Sequence, residues 1–418
     1  MTAGDQQQSG AAGGTWSRRG MLAGLLGAPV LLVAACSGGS NGKANSGGSG
    51  NNGGAGGSAK ESVAKITVSP ADGTANAPFT APVTVAVAAG TLRSVRVTDQ
   101  AGHEIPGQLA ADSLSWTTSA PLGSGTRYTV AAVAVDKDRQ EADANTSFTT
   151  STPANTFVGY FTPEDGSTVG VGMPVSINFN TPVTDRKAVQ QAITVLAEPG
   201  VEIVGHWFSS TRLDFRPQEY WAKGTKVTVK LRLKDVEGAK GVFGTQSKDV
   251  GFTIGRSQTS VADLSTDLLT VTTDGQVSAT YKVIGGAPDH RTWAGVMVIS
   301  EQYQQTKMDS ATVGLGDEYN IPDVPHAQRL TTSGTFIHGN YWSPASAFGT
   351  TNASHGCVAL RDVKGAGDPA TDGAKFFSSS IVGDVVEVVN SGDKTVDPAN
   401  GLSGWNLSWA NWKAGSAL

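Results

Sequence analysis

Two stretches of this chain are imperfect copies of each other, and that repetition limits the possible folds more than any single run of residues does. Ser69-Pro70-Ala71-Asp72-Gly73-Thr74 recurs as Thr162-Pro163-Glu164-Asp165-Gly166-Ser167, an offset of 93 residues. Leu114 and Trp116 with Gly125-Thr126-Arg127-Tyr128-Thr129-Val130 recur as Leu213 and Phe215 with Gly224-Thr225-Lys226-Val227-Thr228-Val229, an offset of 99. A unit repeating at this period is one folded module used twice. Inside each copy apolar and polar residues alternate, as in Val83-Thr84-Val85-Ala86-Val87 and Val227-Thr228-Val229-Lys230-Leu231-Arg232-Leu233, between Pro, Gly and Asp turns. Alternation of period two over short runs is the pattern of half-buried strands. The 418 residues, with 53 Gly and 18 Pro, therefore predict a mainly β protein of two to three domains.

The size of each copy suits an immunoglobulin-like β-sandwich, with boundaries expected at 63–153 and 154–256. No disulfide bridges either one, because the two cysteines are Cys36 and Cys357. Lys+Arg 31 against Asp+Glu 36 leaves a net charge of -5, which provides no basic surface for phosphates, so nucleic acid is excluded as a partner.

Before the first copy, Arg18 and Arg19 precede an apolar stretch, Met21 to Ala35, too short to cross a bilayer and of the length of a signal-peptide core. Val33-Ala34-Ala35-Cys36 resembles the lipobox of bacterial lipoproteins, and Ser17-Arg18-Arg19 a twin-arginine signal. That resemblance implies a cleaved signal at 1–35, a lipidated Cys36, and a membrane anchor on the outer face of the cytoplasmic membrane. Residues 36–62, rich in Gly, Ser and Asn, read as a flexible tether.

From Ser257 the composition changes, and His290, His326, His338 and His355 gather with Cys357. Leu268 to Thr272, the turn Asp274-Gly275 and Gln276 to Ile284 read as a hairpin, and Gly383 to Val389 as a late strand, so a third β-rich domain is expected at 257–390. In the last segment, 391–418, Trp405, Trp409 and Trp412 have helical spacing and predict a short helical tail packed back on that domain. Glycan stacking is the alternative for these rings.

An exported protein with one spare thiol calls for a chemical reason. Cys is a nucleophile only as thiolate and needs a base or a cation nearby. Gly334-Thr335-Phe336-Ile337-His338-Gly339 and Ser354-His355-Gly356-Cys357 supply two histidines, with Gly356 allowing a carbonyl close to the backbone N–H groups that would hold an oxyanion. These residues resemble the signature of the bacterial L,D-transpeptidase family, His-Gly followed after a loop by Ser-His-Gly-Cys. The resemblance spans roughly Val261 to Leu418, and the whole arrangement is similar to the actinobacterial branch. It implies two immunoglobulin-like sandwiches followed by a β-rich catalytic domain, peptidoglycan cross-linking, and acylation by carbapenem-type β-lactams. By position it makes Cys357 the nucleophile, His338 the general base, and His355 and Gly356 parts of the active-site loop. Substrate contacts would come from Tyr319, Ser333, Gly334, Trp342, Asn352 and Ser354. The implied partners are peptidoglycan stem peptides, a donor tetrapeptide and an acceptor amine, and no cofactor is implied.

This chain has Ala359 where members of that branch have Asn, so an amide contact is missing or comes from Asn352 or Arg361. Gly339 replaces Ser of some relatives, which matters little if its backbone carbonyl orients His338. His338, His355 and Cys357 together as zinc ligands are disfavoured, since no Cys-x-x-Cys or His-Glu-x-x-His accompanies them. No metal is expected, and no role is assigned to His326, beyond a position bordering the pocket, or to His290. The function expected is 3→3 cross-linking through a Cys thioester. The alternatives are an L,D-carboxypeptidase using the same residues and a non-catalytic glycan-binding lipoprotein.

Overall fold

The repeated Asp-Gly turn performs the same task twice. Asp72 Oδ1 accepts the Ser147 N–H at 2.8 Å while the Gly73 N–H donates to the Ser147 carbonyl at 2.8 Å. Asp165 and Gly166 hold Gly251 in the same way, at 2.8 and 2.7 Å. Both glycines have positive φ, +74° and +73°, which explains why glycine follows the aspartate in each copy. The computed structural model describes residues 60–314 and 316–418, so Cys36, the signal segment and nearly all of the tether lie outside the described residues.

In the first sandwich a sheet of strands Lys65–Ser69, Thr84–Ala88, Ser115–Thr118 and Gly107–Leu109 packs on a sheet of Thr91–Asp99, Arg127–Val135 and Glu141–Thr149. Alternation sends Val85 and Val87 inward beside Trp116, Val97 and Val130. The second sandwich repeats the plan around Ile177, Leu213, Phe215, Val229 and Phe252. It departs from the expected all-β pattern by a helix, Arg186–Gln191, inserted between strands Val175–Phe179 and Ile193–Glu198. Asp185 caps that helix by accepting the Ala188 N–H at 3.0 Å. A hairpin, Glu237–Ala239 with Val242–Gly244, carries Phe243 into the core of the first sandwich, edge-on to Phe79 at 4.9 Å.

The third domain is built on one nine-stranded mixed sheet. Its strands lie in the order Gly295–Val298, Val385–Val389, Gln258–Asp263, Leu268–Thr273, Gln276–Ile284, Val358–Arg361, Phe336–Asn340, Asn320–Arg329 and Glu301–Asp309. The expected hairpin is present, with Asp274 and Gly275 at φ 51° and 82° supplying the left-handed pair that a two-residue turn needs. Strands Phe336–Asn340 and Val358–Arg361 run parallel, Ile337 opposite Val358 and His338 opposite Ala359. Ile337, Val358 and Leu360 face the main core with Leu269, Val283 and Phe376. Side chains of the opposite parity, His338 and Asn340 beside Cys357 and Ala359, share the other face, and this alternation brings the chemistry together.

The boundary near residue 256 separates strands but not cores, since Val298, Val385 and Leu402 belong to the core of the second sandwich. The tail corrects an expectation. Its first part packs on the third domain as expected, with Val396 in that core and Asn406 bonded to Val296, but the tryptophans Trp405 and Trp412 dock on the second sandwich, and only Trp409–Ala414 is α-helical, Trp405 sitting on a separate turn. Trp412 is fully buried, stacks on His206 at 4.8 Å and donates to the Val204 carbonyl at 2.9 Å. Trp405 donates to the Gly172 carbonyl at 2.7 Å.

Candidate active site

Cys357 ends the loop that leads into strand Val358–Arg361, and its side chain lies against the start of the neighbouring strand. The sulfur accepts the Phe336 N–H at 3.4 Å, and the thiol faces the Gly334 carbonyl at 3.7 Å. Gly334 adopts φ +100°, and a Cβ there would overlap Val313, so glycine is what lets this carbonyl reach the thiol. Gly334 thus positions the Cys357 thiol. Ser333 lies outside the pocket wall, with its hydroxyl accepting from Asn400 Nδ2 at 2.8 Å.

His338 is buried, and its Nδ1 lies 2.7 Å from the Gly339 carbonyl. A carbonyl can only accept, so Nδ1 carries the proton and Nε2 is the basic atom of the neutral ring. Behind this pair stands Asp362, which the sequence reading did not single out. Its carboxylate accepts from Thr371 Oγ1 at 2.9 Å, pairs with His326 Nδ1 at 2.7 Å, and packs so closely on Gly339 and Gly373 that a Cβ on either would overlap it. Glycine at 339 is therefore required here by the buried carboxylate. His326 is buried against Asp362 and Gln304 rather than bordering the pocket.

Burial pushes the His338 imidazole below its ordinary value, against the opposite pull of the Gly339 carbonyl and the Asp362 charge. Burial also pushes the Cys357 thiol up to about 11, offset only in part by the Phe336 N–H. Both groups are therefore neutral near pH 7, and the pair is a thiol beside an imidazole rather than a preformed thiolate.

The two line one cavity of ≈ 180 Å³. Its apolar wall is Ile284, Met308, Ile321 and Trp342, and its polar rim includes Tyr319, Ser354 and His355. Trp342 stacks on His338 at 5.9 Å. Tyr319 lies 5.0 Å from His355, and burial followed by the Cys357 charge pushes its phenol up to about 12. Ser354 shapes the loop, donating to the Cys357 carbonyl at 2.6 Å and accepting the Gly356 N–H at 3.3 Å. Gly356 itself has φ +102°, a conformation the loop could not hold with a side chain.

Asn352 departs from its expected role. Its amide is spent on the backbone, Oδ1 accepting from Gly285 at 2.7 Å and Nδ2 donating to Leu264 at 3.2 Å, so it braces the loop and does not line the cavity. Arg361 is exposed, and Ala359 is fully buried on the cavity floor, packed with Ile284 and Phe348. Neither Asn352 nor Arg361 supplies the amide that Ala359 lacks.

The sequence pattern of a bacterial Ig domain matches residues 74–237, across both sandwiches, and that of an L,D-transpeptidase catalytic domain matches residues 257–388. The chain is 34% identical over 412 residues to L,D-transpeptidase 2 of Mycobacterium tuberculosis, covering 97% of each. It belongs to the L,D-transpeptidase family. It is also 32% identical to L,D-transpeptidase 5 of the same organism, over 85% of this chain and 77% of that protein. A solved L,D-transpeptidase structure in complex with imipenem covers 57% of this chain and 100% of its own, at 30% identity and a TM-score of 0.47. The enzyme is thus an acyltransferase by family, with a mainly β fold of immunoglobulin-like and catalytic domains.

Proposed function

We propose that this L,D-transpeptidase forms 3→3 cross-links in peptidoglycan, using Cys357 as nucleophile and His338 as base. The observation that carries the reading is the shared cavity in which a buried thiol and a buried imidazole with a free Nε2 line the same wall. Cys357 passes its proton to His338 as sulfur attacks the carbonyl of the third residue of a tetrapeptide stem. The tetrahedral adduct collapses to a thioester, and His338 returns the proton to the departing D-Ala amine. An amine from a second stem then attacks the thioester, loses a proton to His338, and frees the thiol. Transfer wins over hydrolysis where water is kept from the thioester, which the apolar wall of Ile284, Met308, Ile321 and Trp342 favours. Cys357→Ala is expected to abolish D-Ala release from a tetrapeptide donor and the covalent mass gained from a carbapenem, with the folded state retained. Turnover that survives this change would sink the reading.

The second part of the proposal is location. In this reading Cys36 is lipidated after export and serves retention rather than chemistry, and residues 36–62 hold the folded part off the outer face of the cytoplasmic membrane. Cys36→Ala is expected to move the protein from the membrane fraction to the soluble one while leaving D-Ala release unchanged. A variant that stays with the membrane would show that the anchor lies elsewhere.

A further inference from the structure

Around His355, which lines the cavity, three side chains from three separate segments meet. His290 comes from the loop after strand Gln276–Ile284, Glu318 from just before strand Asn320–Arg329, and His355 from the loop carrying Cys357. The Glu318 Oε2 lies 3.3 Å from His290 Nε2 and 3.4 Å from His355 Nε2, and the three ligand atoms all fall within 4.8 Å of one another. We propose that His290, Glu318 and His355 form a binding site for a divalent transition metal of the Zn²⁺ class, and that its occupation inhibits the enzyme. In the sequence His355 stands with His338 and Cys357. The fold instead turns it toward a different pair.

Two of the three separations carry the argument, and the two imidazole nitrogens lie within 4.8 Å of each other. Zinc bonds of about 2.0–2.1 Å to nitrogen and carboxylate oxygen give a tetrahedral edge of about 3.3–3.4 Å. Both Glu-to-His separations match that edge. The donor set of two imidazoles and one carboxylate suits zinc among borderline ions, and three protein ligands leave one position for water. Asp289 Oδ2, 3.8 Å from His290 Nε2, is the nearest further carboxylate.

Two of the ligands are held in place without metal. Ser354 donates to the Gly285 carbonyl at 2.9 Å and accepts from the Ala287 N–H at 2.8 Å, which fixes the His290 loop beside the His355 loop; the two rings lie 5.2 Å apart. Glu318 is placed by its neighbour, since the Tyr319 N–H donates to Ser310 Oγ at 3.0 Å and the Tyr319 carbonyl accepts from it at 2.9 Å. A bound ion would join the Tyr319 wall to the Cys357 loop across the cavity rim. That junction obstructs the donor peptide on its way to the thiol, so the inhibitory effect, unlike the binding, rests on the transpeptidase reading above.

Binding is tested by calorimetric titration of ZnCl₂ into the full chain carrying Cys357→Ser, which removes the thiol as a competing ligand and has no turnover to confuse the result. One equivalent is expected to bind, with affinity reduced tenfold or more by Glu318→Gln or His290→Ala in the same background. Glu318→Gln is isosteric and half-exposed, and melting curves without zinc confirm that each variant folds. Absence of zinc binding, affinity unchanged by both substitutions, or binding confined to the protein with Cys357 intact would each overturn the site. With Cys357 present, zinc near its dissociation constant is expected to lower D-Ala release by wild type and to spare the His290→Ala and Glu318→Gln variants. Equal inhibition of all three would place the effect at the thiol and overturn the inhibitory role.

Discussion

Cys357 and His338 are shifted in directions that keep both neutral, so in the proposed mechanism the proton moves as the bond to carbon forms. With the thiol at about 11, only about one molecule in ten thousand carries a thiolate at pH 7. The consequence is testable on the free enzyme. Alkylation of Cys357 by iodoacetamide, followed by mass spectrometry, is expected to keep rising with unit slope beyond pH 9.5, whereas a thiolate–imidazolium pair would level off well below 8.5. His338 has the opposite sign. Its pKa lies below the ordinary imidazole value, so it is a proton acceptor above that value and loses this role as pH falls through its lowered pKa. A plateau in alkylation at neutral pH would show that burial does not govern the pair. Asp362 works at one remove, packing against the Gly339 backbone whose carbonyl fixes the His338 tautomer.

The strand pair Phe336–Asn340 and Val358–Arg361 explains why the candidate catalytic residues were legible in the sequence and their supports were not. His338 and Cys357 announce themselves through short motifs of unusual composition. Asp362, Glu318 and His290 sit in ordinary stretches and acquire their roles only from sheet register and loop pairing, which no local pattern encodes. The repeat announced both sandwiches, yet the helix Arg186–Gln191 went unread because its six residues are too few to show a period. Tryptophan spacing correctly indicated burial, but its partner is Arg216, a residue without any sequence mark. This guanidinium is 2% exposed, lies 4.5, 5.5 and 4.3 Å from the centroids of Trp405, Trp409 and Trp412, and donates to the Leu407 carbonyl at 3.0 Å. Burial pulls it down to about 10, so it remains a cation at neutral pH. Arg216→Met is expected to cost about 3 kcal/mol, since desolvated cation–π contacts are lost and the part-buried Leu407 carbonyl of the tail is left without its donor. A lower Tm with red-shifted tryptophan emission checks this; an unchanged Tm and spectrum would mean the indoles dock without the cation.

The second sandwich and the catalytic domain share more than a linker. Gly170 donates to the Val382 carbonyl at 2.8 Å and Gly172 to the Gly383 carbonyl at 2.9 Å, and at both positions a Cβ would collide with the 383–385 backbone or side chains. The tail closes the same junction from the other side. Such continuity makes the sandwich part of the catalytic domain's support. Arg256, between the two domains, pairs with Asp384 at 2.8 Å, and Asp384 is 1% exposed. Burial raises the Asp384 carboxyl to about 6 from 3.8, although the Ile381 N–H and Arg256 pull the other way. The folded protein therefore binds this proton more tightly than the unfolded chain does. Stability from this group is full below about pH 4, declines as pH rises through about 6, and is level above. Asp384→Asn keeps the shape and removes the titration. Because every other carboxylate is common to both proteins, the difference in denaturation midpoint between wild type and Asp384→Asn isolates this one group. Wild type is expected to lose ground steadily against the variant between pH 4 and 6, and to hold a constant difference from pH 7 to 8. Parallel profiles across the whole range would show that the Arg256 charge fully offsets burial and that the junction is indifferent to pH.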